Sequence, residues 1–123
     1  MTAENKAIAR RIYQDLWNSG NLSVADEIFV NAEGVKQYIA MFRAAFPDIQ
    51  HTVEDLIAEG DQVVARFTAR GTHQEVWKGI APTGQRIAYT GMTILQIANG
   101  KIVKHYTEWD ALRLMQQIGS VST

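Results

Sequence analysis

Cysteine is absent from this chain, which excludes thiolate catalysis, thiolate zinc sites and any disulfide scaffold. A dominant sign of charge is missing too: 12 Lys and Arg stand against 13 Asp and Glu, a formal net charge of −1. Binding to nucleic acid or to an anionic membrane surface draws on a cationic surplus, so neither partner is expected. No apolar run approaches the roughly 20 residues that cross a bilayer, and no signal peptide is read ahead of the first helix. The expectation is a soluble, cytoplasmic protein. What the sequence does have is apolar material: 46% of its 123 residues are hydrophobic. For 13.8 kDa, size scaling buries about two-thirds of the unfolded surface, enough for one core and not two. Residues 1–123 are therefore read as a single domain.

The pattern begins helical. Thr2 to Trp17 places Ile8, Ile12, Tyr13, Leu16 and Trp17 on one face, with Gly20 as a left-handed exit. Ser23 and Asp26 resemble a capping box for a short helix to about Phe29. A third helix is expected from Glu33 to Phe46, with an apolar stripe of Val35, Tyr38, Ile39, Phe42 and Phe46, and Pro47 ends it. Strands follow. Ile49 to Ala58 and Gln62 to Thr72 flank the turn Glu59-Gly60-Asp61, and Ile87 to Ile97 and Ile102 to Trp109 flank Asn99-Gly100. Gln74 to Arg86, with Pro82 and two glycines, reads as a loop, and Asp110 caps a last helix, Ala111 to Gln117. Helices followed by long strands predict an α+β fold: a cone-shaped, curved antiparallel sheet wrapped around the N-terminal helices, with a short C-terminal helix. An incompletely filled cone is a ligand cavity.

Strand parity selects the side chains that share the interior. It places Phe67, Tyr89, Thr93, His105, Thr107 and Trp109 inside, with Val103 inward and Ile102 outward. His105 is the natural acid–base candidate, since its ordinary pKa lies near neutrality; the competing reading is a core histidine satisfied by a threonine or a carbonyl. Asp110 is a second catalytic candidate at the rim, set against its role as a helix cap. Tyr13, Trp17, Phe42, Phe46, His51, Phe67, Tyr89 and Trp109 are candidates for contact with a ligand, with plain core packing as the alternative. Trp77 suits a lid over the mouth, a partner contact or a cover for the core.

Other chemistries are poorly served. His51, His73 and His105 are widely separated, so no metal is expected, and no cofactor is implied. Glu54 and Asp55 are adjacent on a strand, which puts them on opposite faces rather than paired. No serine has a nucleophile-elbow context, and Gly79 and Gly84 do not form a phosphate loop. On the outward sheet face Met92, Ile94 and Tyr106 form an apolar strip, which predicts a homodimer through the sheet.

Several stretches together resemble the SnoaL-like polyketide cyclases, also called ester cyclases, of the nuclear-transport-factor-like superfamily. They are NKAIARRIYQDLW from Asn5, GVKQYIAMFRAAFPDIQHTVE from Gly34, GTH from Gly71, GIAPTGQRI from Gly79 and GKIVKHYTEWDALRLMQQIG from Gly100. The resemblance covers nearly the whole chain. It implies the same cone, a cavity within it, frequent homodimers, and ring closure of a polyketide ester by intramolecular aldol condensation without metal or covalent intermediate. In those cyclases an acidic residue on the last strand works with a histidine on the strand before; counting from Gly100, the matching slots here hold Thr107 and Thr93. Family members also carry a longer segment where this chain has only Asn31-Ala32-Glu33 between Val30 and Gly34. The residues thus leave three expectations. One is an acid–base enzyme with His105 as proton carrier and Thr93 and Thr107 as hydrogen-bond donors. The others are a binder of small hydrophobic molecules and a dimer module with a filled cone.

Overall fold

The computed structural model describes residues 2–121. Helix α1 (Thr2–Arg11) runs directly into a π-helical segment, Ile12–Asn18. Two further helices follow, α2 (Val24–Ile28) and α3 (Glu33–Ala45). Four strands, β1 (Gln50–Glu59), β2 (Gln62–Thr72), β3 (Arg86–Ala98) and β4 (Lys101–Trp109), form an antiparallel, curved open sheet in sequential order. Helix α4 (Ala111–Gln117) closes the fold, and Asp110 caps it by accepting from the Arg113 N–H at 3.0 Å. The α+β cone expected from the sequence is the fold observed.

The hairpins form for the reasons the sequence gives. At the second, Asn99 and Gly100 take φ of 53° and 77°, the left-handed pair a tight turn requires. Alternation then buries Val63, Ala65, Phe67 and Ala69 of β2 and Ile87, Tyr89, Thr93, Leu95 and Ile97 of β3 against the helices. Gly91 interrupts that row for a steric cause. A Cβ there would lie 2.5 Å from the Phe67 ring and 2.9 Å from Trp109 Cβ, so its absence lets the two aromatics converge across three strands.

Several local expectations are corrected. The first helix changes pitch at Ile12, where the backbone widens and keeps Ile12, Tyr13, Leu16 and Trp17 all buried. Arg43 of α3 donates to the Trp17 and Asn18 carbonyls, satisfying acceptors at the end of this segment. Ser23 makes no side-chain cap; its hydroxyl donates to Asn21 Oδ1 at 2.8 Å instead. A register shift between Gln96 and Ile97 pairs Ile97 with Ile102 and Leu95 with His105. Val103 is the extra residue, so it turns out to solvent and Ile102 turns in, the reverse of simple parity. A second shift between Val53 and Asp55 interrupts β1, where Glu54 and Asp55 are both exposed and Asp55 is paired to Arg66 at 2.6 Å. Trp77 is buried against Phe42 and Phe46 and covers the core. On the outer face, Met92, Ile94 and Tyr106 are exposed as expected. Ile57, Val64, Ile94 and Tyr106 stand in register across all four strands. Among the described residues, no helix is long and apolar enough to cross a membrane.

Candidate functional site

The cone is not filled. Between the sheet and the helices lies a cavity of about 690 Å³, within the size range of small-molecule sites. Tyr13 and Trp17 reach it from the π-helical segment, His51 from β1, Phe67 from β2, Tyr89 and Thr93 from β3, and His105, Thr107 and Trp109 from β4. The structure therefore brings together the catalytic candidates His105, Thr93 and Thr107 with most of the expected ligand contacts. Phe42 and Phe46 are not in the lining. Phe42 stands behind it, edge-on to Trp17 and Trp109 at 5.6 and 5.5 Å, and Phe46 is fully buried against His73. Asp110 also lies outside, its carboxylate bound to the α4 backbone.

The two histidines of this cavity sit in different surroundings. His51 is 6% exposed and enclosed by rings, with Trp17 at 4.5 Å, Phe67 at 5.0 Å and Tyr13 at 5.7 Å between centroids. Burial pushes its imidazole down to about 3, so it is neutral at neutral pH. His105 is solvent-exposed on the opposite edge strand of the sheet, where its ring meets the edge of Phe29 at 5.4 Å. It sits on the edge strand β4, and Asn31 and Gly34 line the same cavity.

The remaining polar groups are uncharged. The Thr93 and Thr107 hydroxyls are 3.1 Å apart, and Thr93 is near enough to the Tyr13 phenol to favour its charged form slightly. One proton lies between the threonines, leaving another hydroxyl proton for a ligand oxygen. Burial holds Tyr13 and Tyr38 above the ordinary tyrosine range, and Tyr89 further still, with the Tyr38 phenol adding to it. Among the described residues, no Asp, Glu, Lys or Arg lines the cavity. The wall offers neutral donors and acceptors on an apolar surface, which suits an uncharged ligand. No group of His, Asp and Glu among the described residues is arranged to hold a metal.

Sequence reasoning passed over Tyr38, Asn31 and Gly34. Helical spacing places Tyr38 on an apolar stripe, although a phenol on such a stripe is itself a signal of a polar contact. It borders the cavity, and Trp109 is near enough to its phenol to offset part of the effect of burial. Asn31 and Gly34 carry no local signal; their place in the lining follows from tertiary structure alone.

The profile of the SnoaL-like polyketide cyclases matches residues 7–118. The chain belongs to the SnoaL-like polyketide cyclase family. Solved structures of this architecture superpose closely. AclR from Streptomyces galilaeus, a candidate hydroxylase, is 27% identical with a TM-score of 0.91 over 100% of this chain and 85% of its own. TsrD from Streptomyces laurentii is 26% identical with a TM-score of 0.90, covering 98% of each chain. IdmH from Streptomyces antibioticus, a candidate polyketide cyclase, is 27% identical with a TM-score of 0.84 over 94% of this chain and 98% of its own. No curated protein matches the chain. Within the SnoaL-like fold, the facing slots on β3 and β4 here hold the hydrogen-bonded Thr93 and Thr107.

Proposed function

We propose that this SnoaL-like protein binds an uncharged, polyketide-like carbonyl compound in its cavity and moves a proton on and off carbon, in a cyclase (aldol) or isomerase type of reaction. The observation that carries this reading is a 690 Å³ apolar cavity with neutral hydrogen-bonding groups. The imidazole of His105 takes the proton α to a carbonyl. The electron pair moves to the carbonyl oxygen, and hydroxyl donors of the Thr93–Thr107 pair stabilise the enolate. In the cyclase case the enolate carbon attacks a second carbonyl of the same molecule. The new alkoxide then recovers the proton from the imidazolium. The aromatic wall excludes water and holds the ligand flat.

A second reading, binding without turnover, is favoured by the absence of a carboxylate beside His105 among the described residues. Deuterium incorporation at C2 of 1-tetralone, followed by NMR in heavy water, separates the two. The enzyme reading expects acceleration by the wild-type protein and a loss of about a hundredfold or more in His105→Ala. Binding with no acceleration would establish the second reading, and equal acceleration by both proteins would remove His105 from the mechanism.

A further inference from the structure

The backbone around His51 is held in an unusual way. β1 is an edge strand, so its outer N–H and C=O groups lack a neighbouring strand. At His51 a side chain takes that place. Asn18 Oδ1 accepts from the His51 N–H at 2.6 Å, and Asn18 Nδ2 donates to the His51 carbonyl at 2.9 Å. The π-helical segment delivers Asn18 to this point, and Arg43 holds the segment's end. A primary carboxamide bonded at both ends fixes the residue from which the imidazole projects, while Tyr13, Trp17 and Phe67 fix the ring.

The imidazole is nonetheless incompletely satisfied. His51 Nδ1 is buried without a hydrogen-bond partner. A proton there would be an orphaned buried donor, the rarer and costlier of the two arrangements, so the proton belongs on Nε2. The ring lines the cavity, and Nε2–H is the donor it has left to offer. We propose that His51 is a further carbonyl-binding residue of this site, beside the Thr93–Thr107 pair: its Nε2–H, oriented through the Asn18 clamp, donates to an oxygen of a conjugated ketone or ester. Asn18 is the positioning residue. This rests on the reading that the cavity takes an uncharged carbonyl compound. Because burial keeps the imidazole neutral, it selects a polarisable carbonyl over a carboxylate, and its bond strengthens as that oxygen gains charge.

The test uses 9-fluorenone, a flat uncharged ketone, with its carbonyl stretch read by infrared difference spectroscopy. In the wild type the bound stretch should lie below its value in an apolar solvent. His51→Phe should return it towards that value and weaken binding about fivefold, the loss of one neutral hydrogen bond. His51→Gln, which keeps an N–H donor, should restore part of the shift, and Asn18→Ala should lose part of it. In the wild type, nitrogen NMR should show the proton on Nε2 and a change at that nitrogen on adding fluorenone. Bound fluorenone with the same stretch in wild type and His51→Phe, or a proton found on Nδ1, would overturn the assignment and leave the cavity reading standing. Failure of fluorenone to bind any of the proteins would overturn both.

Discussion

One cavity holds two histidines in opposite circumstances. His51 is enclosed in rings, clamped through its backbone and neutral; His105 is open to water on an edge strand. A group that must exchange protons with solvent belongs where water reaches it, whereas a group that must orient a carbonyl belongs where nothing moves. Under the proposed function, the contrast assigns gripping to the rigid His51 end and reaction to the open His105 end. It also explains how neutral side chains can serve here: burial makes hydrogen bonds from His51 and Tyr13 stronger than they would be in water.

The largest effect that would sharpen this contrast is on acid stability. Unfolded, His51 takes up a proton near its ordinary pKa of 6.5; folded, it does so only near 3. Between those values the unfolded state carries the extra proton. Stability from this group is therefore complete above about pH 6.5 and is lost as pH falls towards 3, at about 1.4 kcal/mol per unit. Urea unfolding at a series of pH values should show a steeper loss in the wild type than in His51→Phe. Matching slopes would mean that His51 is not sealed.

A smaller effect is expected where the two ends join. Thr93→Val keeps the shape but removes the hydroxyl bonded to Thr107, and it should lower stability by about 1 kcal/mol. Exchange of 1-tetralone should slow in the same variant. Unchanged exchange would show that this hydroxyl plays no part in the chemistry. The smallest effect on the chemistry should come from Asp110→Ala, outside the cavity: about 1 kcal/mol of stability from the lost cap, read by thermal unfolding, with exchange unaffected. A large loss of exchange would return Asp110 to the catalytic set.

The fold was legible because its signals are local. Asn99-Gly100, Pro47, Asp110 and the alternation of β2 and β3 each act within a few residues. The site was legible where alternation continues unbroken, as at Phe67, Tyr89 and Thr93. It failed where one extra residue shifts the register, at Val103, because a bulge breaks alternation locally: Ile102 and Val103 exchange faces, while His105, Thr107 and Trp109 keep theirs. Phe42 and Phe46 illustrate a second limit. Helical spacing puts them on the buried face, but whether a buried ring meets a cavity or another ring depends on packing. The change of helical pitch at Ile12 has no signature of its own, and the Asn18 clamp depends on it. Gln117 does the same work elsewhere, bonding the Ala88 N–H and C=O at 2.7 and 3.0 Å beyond the end of β4. Such amide clamps join residues far apart in sequence, so composition does not announce them.

Ligand entry is the most direct test of the central claim, that the cone is hollow and suited to uncharged molecules. Gly34 lines the cavity, and a Cβ placed there meets nothing within 4 Å, so Gly34→Trp should fold and obstruct the cavity. Fluorescence titration with Nile red, an uncharged dye, should give saturable binding at one site per chain in the wild type, with a marked loss in Gly34→Trp. Equal binding by both proteins, or none by the wild type, would contradict the account.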